Sequence, residues 1–222
     1  SLRIMASDYT PLVTIPKVVA ATRRSFQSGK TLPYEFRLHQ LKRLRQMVLD
    51  HAKEFILAGQ QDMYRRSEEE LQREEIKYSI DEVTVMIDNL ASYMQDVAVG
   101  KHPEMGVGKL HYTPMGNTLL ICPWNFPLNL CVVPLAGAIS AGCTAIVKPS
   151  EVSPAVAAML AKLIPMYLDD SCYKVVLGAV KETTELLQHK FDLIFFTGAP
   201  VIGKIVAMAA AKTLTPCVLE LG

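Results

Sequence analysis

The sequence predicts an α/β protein in which a doubly wound parallel sheet follows long N-terminal helices. Two observations support this prediction. The first hundred residues have apolar side chains at the three- and four-residue spacing of amphipathic helices, and the remainder alternates short apolar runs with helical ones. Strands that are apolar on both faces and separated by helices are typical of a parallel sheet whose faces are both covered. We therefore expect residues 1–100 to form an N-terminal helical part and residues 101–222 to form the βαβ core.

Two amphipathic stretches, residues 38–55 and 76–97, account for most of the N-terminal part. The second one predicts a single long helix packed on its own domain. It also satisfies three heptads of a coiled coil, which leaves a helical interaction module open as an alternative. Between the two stretches lies an acidic group: Glu68, Glu69, Glu70, Glu74 and Glu75. We expect this group to be a solvated helix start, because carboxylates are favoured at the positive end of a helix dipole.

The second half divides into short elements of two kinds. A loop containing Pro103 leads into a β-rich stretch at 110–113. Strands are predicted over residues 118–122, 144–147, 173–177, 192–196 and 217–221. Helices are predicted over residues 126–141, 154–166, 182–188 and 201–212.

The composition argues against several classes of protein. The formal net charge is +1, which gives no indication of a nucleic-acid partner or an anionic membrane surface. The five histidines are scattered and predict no metal site. The cysteines are odd in number and form no C-x-x-C pair: Cys122, Cys131, Cys143, Cys172 and Cys217. This pattern predicts a reduced, intracellular protein, in the cytoplasm, without a disulfide framework.

Two stretches resemble targeting or membrane segments only superficially. Residues 1–5 are too short and too mixed for the apolar core of a signal peptide. Residues 110–147 carry no formal charge and are long enough to span a bilayer. Prolines and glycines interrupt this second run, so we expect a buried βαβ segment with no membrane contact.

Doubly wound sheets bind ligands at the carboxyl ends of their strands, and four predicted strands end in residues able to do chemistry. Asn125 follows the first, held between two prolines, and is either a fixed hydrogen-bond donor or a helix cap. Lys148 and Glu151 follow the second with Ser150 between them. An ammonium and a carboxylate three residues apart can bind the two hydroxyls of a ribose, or they form a surface ion pair beside a helix start.

The other two strand ends carry a glycine pair and a carboxylate. Gly198 and Gly203, with four residues between them, suit a backbone that approaches a pyrophosphate at a helix N-terminus. The stretch is not G-x-G-x-x-G, and it is not a P-loop, because Ile205 stands where that motif needs Ser or Thr. Glu220 ends an apolar strand, where poor solvation would suit a general base, although a helix cap is an equal alternative.

The order of these stretches resembles the aldehyde dehydrogenase superfamily. The resemblance rests on Pro-Trp-Asn-Phe-Pro at 123–127, Lys-Pro-Ser-Glu at 148–151, Phe-Thr-Gly at 196–198 and Leu-Glu-Leu-Gly at 219–222. It is closer still to the class 3 and fatty aldehyde dehydrogenase branch, through residues 165–169, 182–187, 209–212, 214–216 and the short segment 100–113. The resemblance covers nearly the whole chain.

The resemblance implies a role for each matching residue. Asn125 would donate its amide to the oxyanion of a thiohemiacetal, and Glu220 would activate the water that hydrolyses the thioester. Lys148 and Glu151 would hold the adenosine ribose. The remaining residues implied in the coenzyme cleft are Pro123, Trp124, Ser150, Gly178, Phe196, Gly198, Ala199, Pro200, Val201, Ile202, Gly203 and Leu221.

The resemblance also implies an activity: NAD(P)-dependent oxidation of medium- or long-chain aliphatic or aromatic aldehydes to carboxylic acids, with NAD favoured over NADP. The complete enzyme would be a homodimer, and a C-terminal membrane attachment outside these residues stays open.

Two departures from the pattern of this family stand out. Ala199-Pro200 replaces the usual Ser-Thr, so backbone amides would have to substitute for lost hydroxyls near the coenzyme phosphates. None of the five cysteines matches the nucleophile's motif, so we expect the catalytic domain to be absent and these residues alone to be inactive. A short non-catalytic nucleotide-binding protein or truncated isoform is the alternative.

Overall fold

The computed structural model describes residues 8–102 and 106–222. The opening segment at residues 1–5 and the predicted loop at Pro103 lie outside the described residues. The centre of the described fold is a sheet of five parallel strands in the order β5-β4-β3-β6-β7. The strands are β3 (Asn117–Ile121), β4 (Thr144–Lys148), β5 (Tyr173–Val175), β6 (Leu193–Gly198) and β7 (Cys217–Leu221). The predicted doubly wound α/β architecture is confirmed.

Helices cover both faces of this sheet. The described helices of four residues or more are α1 (Ile15–Gln27), α2 (Tyr34–Asp50), α3 (Ala52–Asp62), α4 (Glu68–Leu71), α5 (Tyr78–Tyr93), α6 (Asn129–Ser140), α7 (Pro154–Tyr167), α8 (Val180–Leu186) and α9 (Pro200–Ala211), with a π-helix at Gln72–Lys77. One face, including Leu120 and Val147, packs with α2, α3, α5, α6 and α7. The other, including Leu119 and Ile146, packs with α1, α8 and α9. Alternate residues of each strand therefore enter two different cores.

The βαβ segment predicted from the uncharged run 110–147 is present as β3, α6 and β4, whose strand residues are all buried. No described helix is long and apolar enough to cross a membrane. Helix α6 begins at Asn129, three residues later than predicted, because the two prolines at 123 and 127 keep the preceding backbone in turns.

Two strand boundaries differ from prediction by two residues, and the other strand boundaries differ by one residue at most. Strand β5 ends at Val175 instead of residue 177, because the Leu177 amide and carbonyl bond to Thr10 instead of a neighbouring strand. Strand β6 continues to Gly198 because Thr197 and Gly198 still pair with Glu220 and Leu221 of β7.

The N-terminal helices are shorter than their apolar patterns indicated. The stripe at 38–55 is divided between α2 and α3 by His51, whose backbone leaves the helical region. The stretch at 76–97 begins inside the π-helix and continues as α5, and Val97 already belongs to a strand. Helix α5 packs against α2 and α6 of its own chain, with Val83 and Leu90 fully buried. This packing supports the single-domain interpretation over the interaction module.

The β-rich stretch predicted at 110–113 is wrong beyond Leu110. Strands β1 (Val97–His102) and β2 (Gly106–Leu110) form an antiparallel hairpin whose last pair is Val97 with Leu110. Residues 111–113 have no strand partner because β1 has no residue left to pair with them.

The acidic group is a helix start only in part. The Ser67 hydroxyl accepts a hydrogen bond from the Glu70 amide and caps α4, and Glu68 and Glu69 are exposed. The expectation of solvation is wrong for Glu75, which is only 4% exposed. The π-helix that contains Glu75 breaks the ordinary helical repeat, and the carboxylate lies beneath the start of α6.

Candidate active site

A cavity of about 720 Å³ lies at the carboxyl ends of the central strands. It is bounded by the residues that follow β3 and β4, by the ends of β6 and β7, and by helices α8 and α9. The parallel register brings these ends together, because Ile121 pairs with both Lys148 and Phe196, and Thr197 pairs with Glu220. The position is the one where doubly wound sheets bind their ligands.

Most of the predicted site residues line this cavity. They are Pro123, Trp124, Asn125, Lys148, Ser150, Glu151, Phe196, Gly198, Ala199, Ile202 and Glu220. Five do not: Gly178, Pro200, Val201, Gly203 and Leu221. The residues chosen from strand ends therefore meet at one cavity, while the glycine spacing included residues that do not line it.

Two of these glycines are required by close packing. A Cβ on Gly203 would lie 2.6 Å from the Leu221 side chain, so this glycine lets α9 approach β7. A Cβ on Gly178 would lie 2.3 Å from Cβ of Glu182. The absence of that Cβ leaves room for the Glu182 carboxylate to accept a hydrogen bond from the Ala179 amide at 2.8 Å and close the start of α8.

Lys148 and Glu151 form an ion pair on the cavity wall, with 2.8 Å between Nζ and Oε2. Lys148 is only 4% exposed, whereas Glu151 is exposed, with 34% of its side chain accessible. Burial raises the pKa of Glu151, but the hydrogen bonds from Lys148 and from its own backbone amide outweigh it and leave the pKa below the ordinary value. The pair thus presents a fixed ammonium and an ionised carboxylate. Ser150 accepts the Val152 amide at 3.2 Å, which gives its hydroxyl a local turn-forming role.

Asn125 is exposed in the turn between β3 and α6, and its side-chain amide has no hydrogen-bond partner among the described residues. Its backbone is held from outside the turn, because the Arg66 guanidinium donates to the Asn125 carbonyl at 2.9 Å. Next to it, Trp124 is 53% exposed and its carbonyl accepts the Ser153 hydroxyl at 2.9 Å. The turn is therefore tethered by its backbone and leaves the amide free toward the cavity.

The loop between β6 and α9 offers few donors. Pro200, the first residue of α9, has no N–H, and the amides of Ile202 and Gly203 both donate to the Ala199 carbonyl at 3.0 Å. Within the described chain, the Val201 amide is the one in this first turn without a backbone acceptor. The expected replacement of hydroxyls by backbone amides thus falls to a single group here.

Glu220 reaches the cavity from the end of β7, opposite Thr197. The expectation that it is poorly solvated is wrong, since its side chain is exposed. The reason is topological: β7 lies at the end of the described sheet, so no further described strand covers it.

The comparisons with known proteins agree with this geometry. The model of the Aldehyde dehydrogenase family matches residues 9–222. The chain belongs to the aldehyde dehydrogenase family.

Named relatives support the class 3 resemblance. The chain is 42% identical over 210 residues to the dimeric NADP-preferring aldehyde dehydrogenase of Canis lupus familiaris, covering 94% of this chain and 46% of the relative. It is 45% identical over 202 residues to aldehyde dehydrogenase family 3 member B1 of Homo sapiens, covering 90% and 43%. The substrate-bound state of Staphylococcus aureus AldH matches with a TM-score of 0.90 and 31% identity, over 94% of this chain and 46% of that one. The chain thus spans about half the length of these relatives.

Four of the five cysteines are buried. Burial raises the pKa of the thiols of Cys131, Cys143 and Cys172, which keeps them protonated. Cys122 lines the cavity but is 5% exposed, and its thiol points back to the Leu120 carbonyl at 3.8 Å. Cys217, at the start of β7, is half-buried.

The sequence argument missed one wall of the aldehyde dehydrogenase cavity. This wall comes from α8 and the residue before it: Ala179, Val180, Thr183, Thr184 and Leu187. The hydroxyls of Thr183 and Thr184 bond to carbonyls within the helix, so the wall is largely apolar. The sequence did contain a signal for this wall, because α8 follows the end of a fifth predicted strand and ligands bind at the carboxyl ends of such strands.

No group of three metal-binding side chains occurs in residues 8–102 and 106–222.

Proposed function

We propose that this chain supplies the coenzyme site, the oxyanion donor and the general base of an NAD(P)-dependent aldehyde dehydrogenase whose nucleophilic cysteine lies outside these 222 residues. The observation that carries the proposal is the shared cavity: Asn125, the Lys148–Glu151 pair and Glu220 come from three different strand ends and line one space. Family membership supports the assignment.

The described residues fit a dinucleotide. The buried Lys148 ammonium donates hydrogen bonds and the Glu151 carboxylate accepts them, so together they suit two adjacent ribose hydroxyls. The apolar wall of α8 suits the flat face of a base, and the N-terminus of α9, where an anion is favoured, lies beside the cavity at Ala199 and Ile202. A carboxylate facing the ribose favours NAD, because it repels a 2′-phosphate. Hydride acceptance is the chemistry that the bound coenzyme supplies.

Two residues of this chain take the remaining catalytic roles, those of oxyanion donor and general base. The free amide of Asn125 donates to the oxygen of the aldehyde as negative charge develops on it, which is worth about 3 kcal/mol for one oriented donor. Glu220 accepts a proton from the water that releases the acid product. Medium- or long-chain aliphatic and aromatic aldehydes are the proposed substrates, and a homodimer is the proposed assembly of the complete enzyme.

Coenzyme binding is testable on the 222-residue chain itself. Trp124 is its only tryptophan and lines the cavity, so bound NADH should quench Trp124 emission by energy transfer. Lys148→Met should weaken the effect strongly, whereas Lys212→Met, an exposed lysine at the end of α9, should leave it unchanged. Saturable quenching that is identical in both variants would show that NADH does not bind at the Lys148–Glu151 pair.

The two catalytic roles are separable by single-turnover kinetics of the full-length enzyme. Asn125→Ala should slow acyl-enzyme formation by about 10² or more, the usual loss for one oxyanion donor. Glu220→Gln should release one burst of NADH and then stall before hydrolysis. Glu69→Gln, an exposed carboxylate that does not line the cavity, is the control. A full rate in Asn125→Ala together with no burst in Glu220→Gln would show that both assignments are wrong.

A further inference from the structure

The turn that carries Asn125, residues 122–129, is tied to the segment 66–75 by one arginine. The Arg66 guanidinium donates from Nη1 to the Asn125 carbonyl at 2.9 Å and from Nε to Glu70 at 2.9 Å. It also lies over the Phe126 ring, 4.5 Å from the centroid. A guanidinium with three such partners has a defined position, because its donors are fixed in one plane.

Glu75 makes the second contact between the segment 66–75 and the turn 122–129, and its side chain is buried. Its Oε2 accepts the backbone amide of Asn129 at 2.8 Å, at the start of α6. Its Oε1 lies 3.6 Å from Nη1 of Arg66, near enough for attraction between charges but beyond hydrogen-bond distance, and it has no hydrogen-bond partner among the described residues. The same carboxylate therefore touches the C-terminal end of the turn and faces the cation that holds its centre.

Several charged and titratable groups face Glu75. Arg66 lowers its pKa, Glu74 of the π-helix raises it, and the Cys131 thiol of α6 is near enough to interact with it. Burial is the largest influence, opposed by the amides of Asn129 and Leu128, and it raises the pKa to about 7. A neutral glutamine could accept the Asn129 amide without this cost of burying a charge. The hydrogen bond to Asn129 therefore does not by itself explain a carboxylate at position 75, and we look for a second role in its negative charge.

We propose that Arg66 and Glu75 are positioning residues for Asn125: the guanidinium fixes the turn at the Asn125 carbonyl, and the charge on Glu75 keeps the guanidinium in place. The catalytic part of this inference rests on the proposed oxyanion role of Asn125. With Glu75 ionised, Arg66 lies between two carboxylates. With Glu75 neutral, the half-exposed Glu70 is the one charged carboxylate left beside Arg66 among the described residues, and the turn loosens. The location agrees with the tendency of π-helical turns to occur at functional sites.

Trp124 reports on this turn in the 222-residue chain, as its only tryptophan. Acrylamide quenching of Trp124, measured between about pH 5.5 and 8.5, should increase as the pH falls, with a midpoint near pH 7. Glu75→Gln should abolish this transition, and Arg66→Gln should leave Trp124 in the more quenched state at every pH. Arg66→Lys, which keeps the charge but not the planar fork, should recover part of the protection. Arg73→Gln removes an exposed ion pair from the same segment and should behave as wild type.

Acylation kinetics then link the turn to catalysis. In the full-length enzyme, Arg66→Gln should slow the NADH burst by up to about 10²-fold, the loss expected when a catalytic group is displaced by about 1 Å, while the KM for the coenzyme stays unchanged. Glu75→Gln should remove the rise of the burst rate through pH 7.

Three results would overturn the inference. A wild-type titration of Trp124 that is flat over this range overturns the inference by itself. This result does not depend on whether any variant folds. A transition that persists in Glu75→Gln shows that another group titrates. A transition that is lost in Glu75→Gln with an unaltered burst rate shows that the turn is positioned for something other than catalysis. None of these outcomes touches NADH binding at Lys148, which tests the proposed function separately.

Discussion

Glu75→Gln should change how the stability of the fold depends on pH. Burial raises the pKa of Glu75 from 4.5 to about 7, so between these values the folded chain binds more protons than the unfolded chain. Stability therefore falls as the pH rises through this window and levels off above it. Relative to a side chain that does not ionise, this raised pKa lowers the free energy of unfolding by about 3 kcal/mol at pH 8. At pH 5, where the unfolded carboxyl is only partly ionised, the loss is about 1 kcal/mol. Glutamine does not ionise and can still accept the Asn129 amide.

The measurement is urea unfolding of wild type and variant at pH 5 and pH 8 and constant ionic strength. The free energy of unfolding of Glu75→Gln minus that of wild type should be about 2 kcal/mol larger at pH 8 than at pH 5. All other ionisable side chains are common to the two proteins, so their contributions cancel in the difference. Glu69→Gln, an exposed neighbour, should show the same difference at both pH values. Equal pH dependence in wild type and Glu75→Gln would refute the claim that burying this charge is costly.

Three further substitutions test other parts of the structure. In the full-length enzyme, Glu151→Gln should raise the use of NADP relative to NAD in steady-state kinetics, because it removes a negative charge from the ribose site; an unchanged ratio would place Glu151 away from the ribose. Asp62→Ala should lower the free energy of unfolding by about 1–2 kcal/mol, since both carboxylate oxygens accept amides at the start of α7 at 2.9 Å; no loss in urea unfolding would contradict this. Arg37→Met should cost about 2 kcal/mol in the same assay, because two buried carbonyls lose their donor; a more stable variant would show that the cost of burying the guanidinium is larger.

The sheet and the location of the cavity were predictable because they depend on local patterns. Runs that are apolar on both faces indicate buried parallel strands, and strand ends in such sheets converge. Asn125, Lys148 and Glu220 could therefore be assigned to one site before any coordinates. The class of fold follows from the same pattern, and the structure confirms it.

What could not be predicted depends on contacts between distant segments. Glu75 looks like its four acidic neighbours in the sequence, and only the amide of Asn129, 54 residues later, distinguishes it. The apolar stripe continues through His51, so the break between α2 and α3 has no signal in it. Gly203 fits the spacing of a phosphate-binding turn, yet the fold uses it to admit the side chain of Leu221.

The place of β7 at the end of the sheet also affects how the isolated chain behaves in solution. An edge strand exposes unpaired backbone groups that can template pairing with a second molecule, and natural proteins discourage this with charges on the edge. In Cys217–Leu221 the single charged residue is Glu220. The side chain proposed as the base is thus also the residue that protects this edge from aggregation. A neutral substitution of Glu220 therefore changes the proposed base and the solubility of the isolated chain together. The two effects are best separated in the full-length enzyme if a further strand pairs with β7 there.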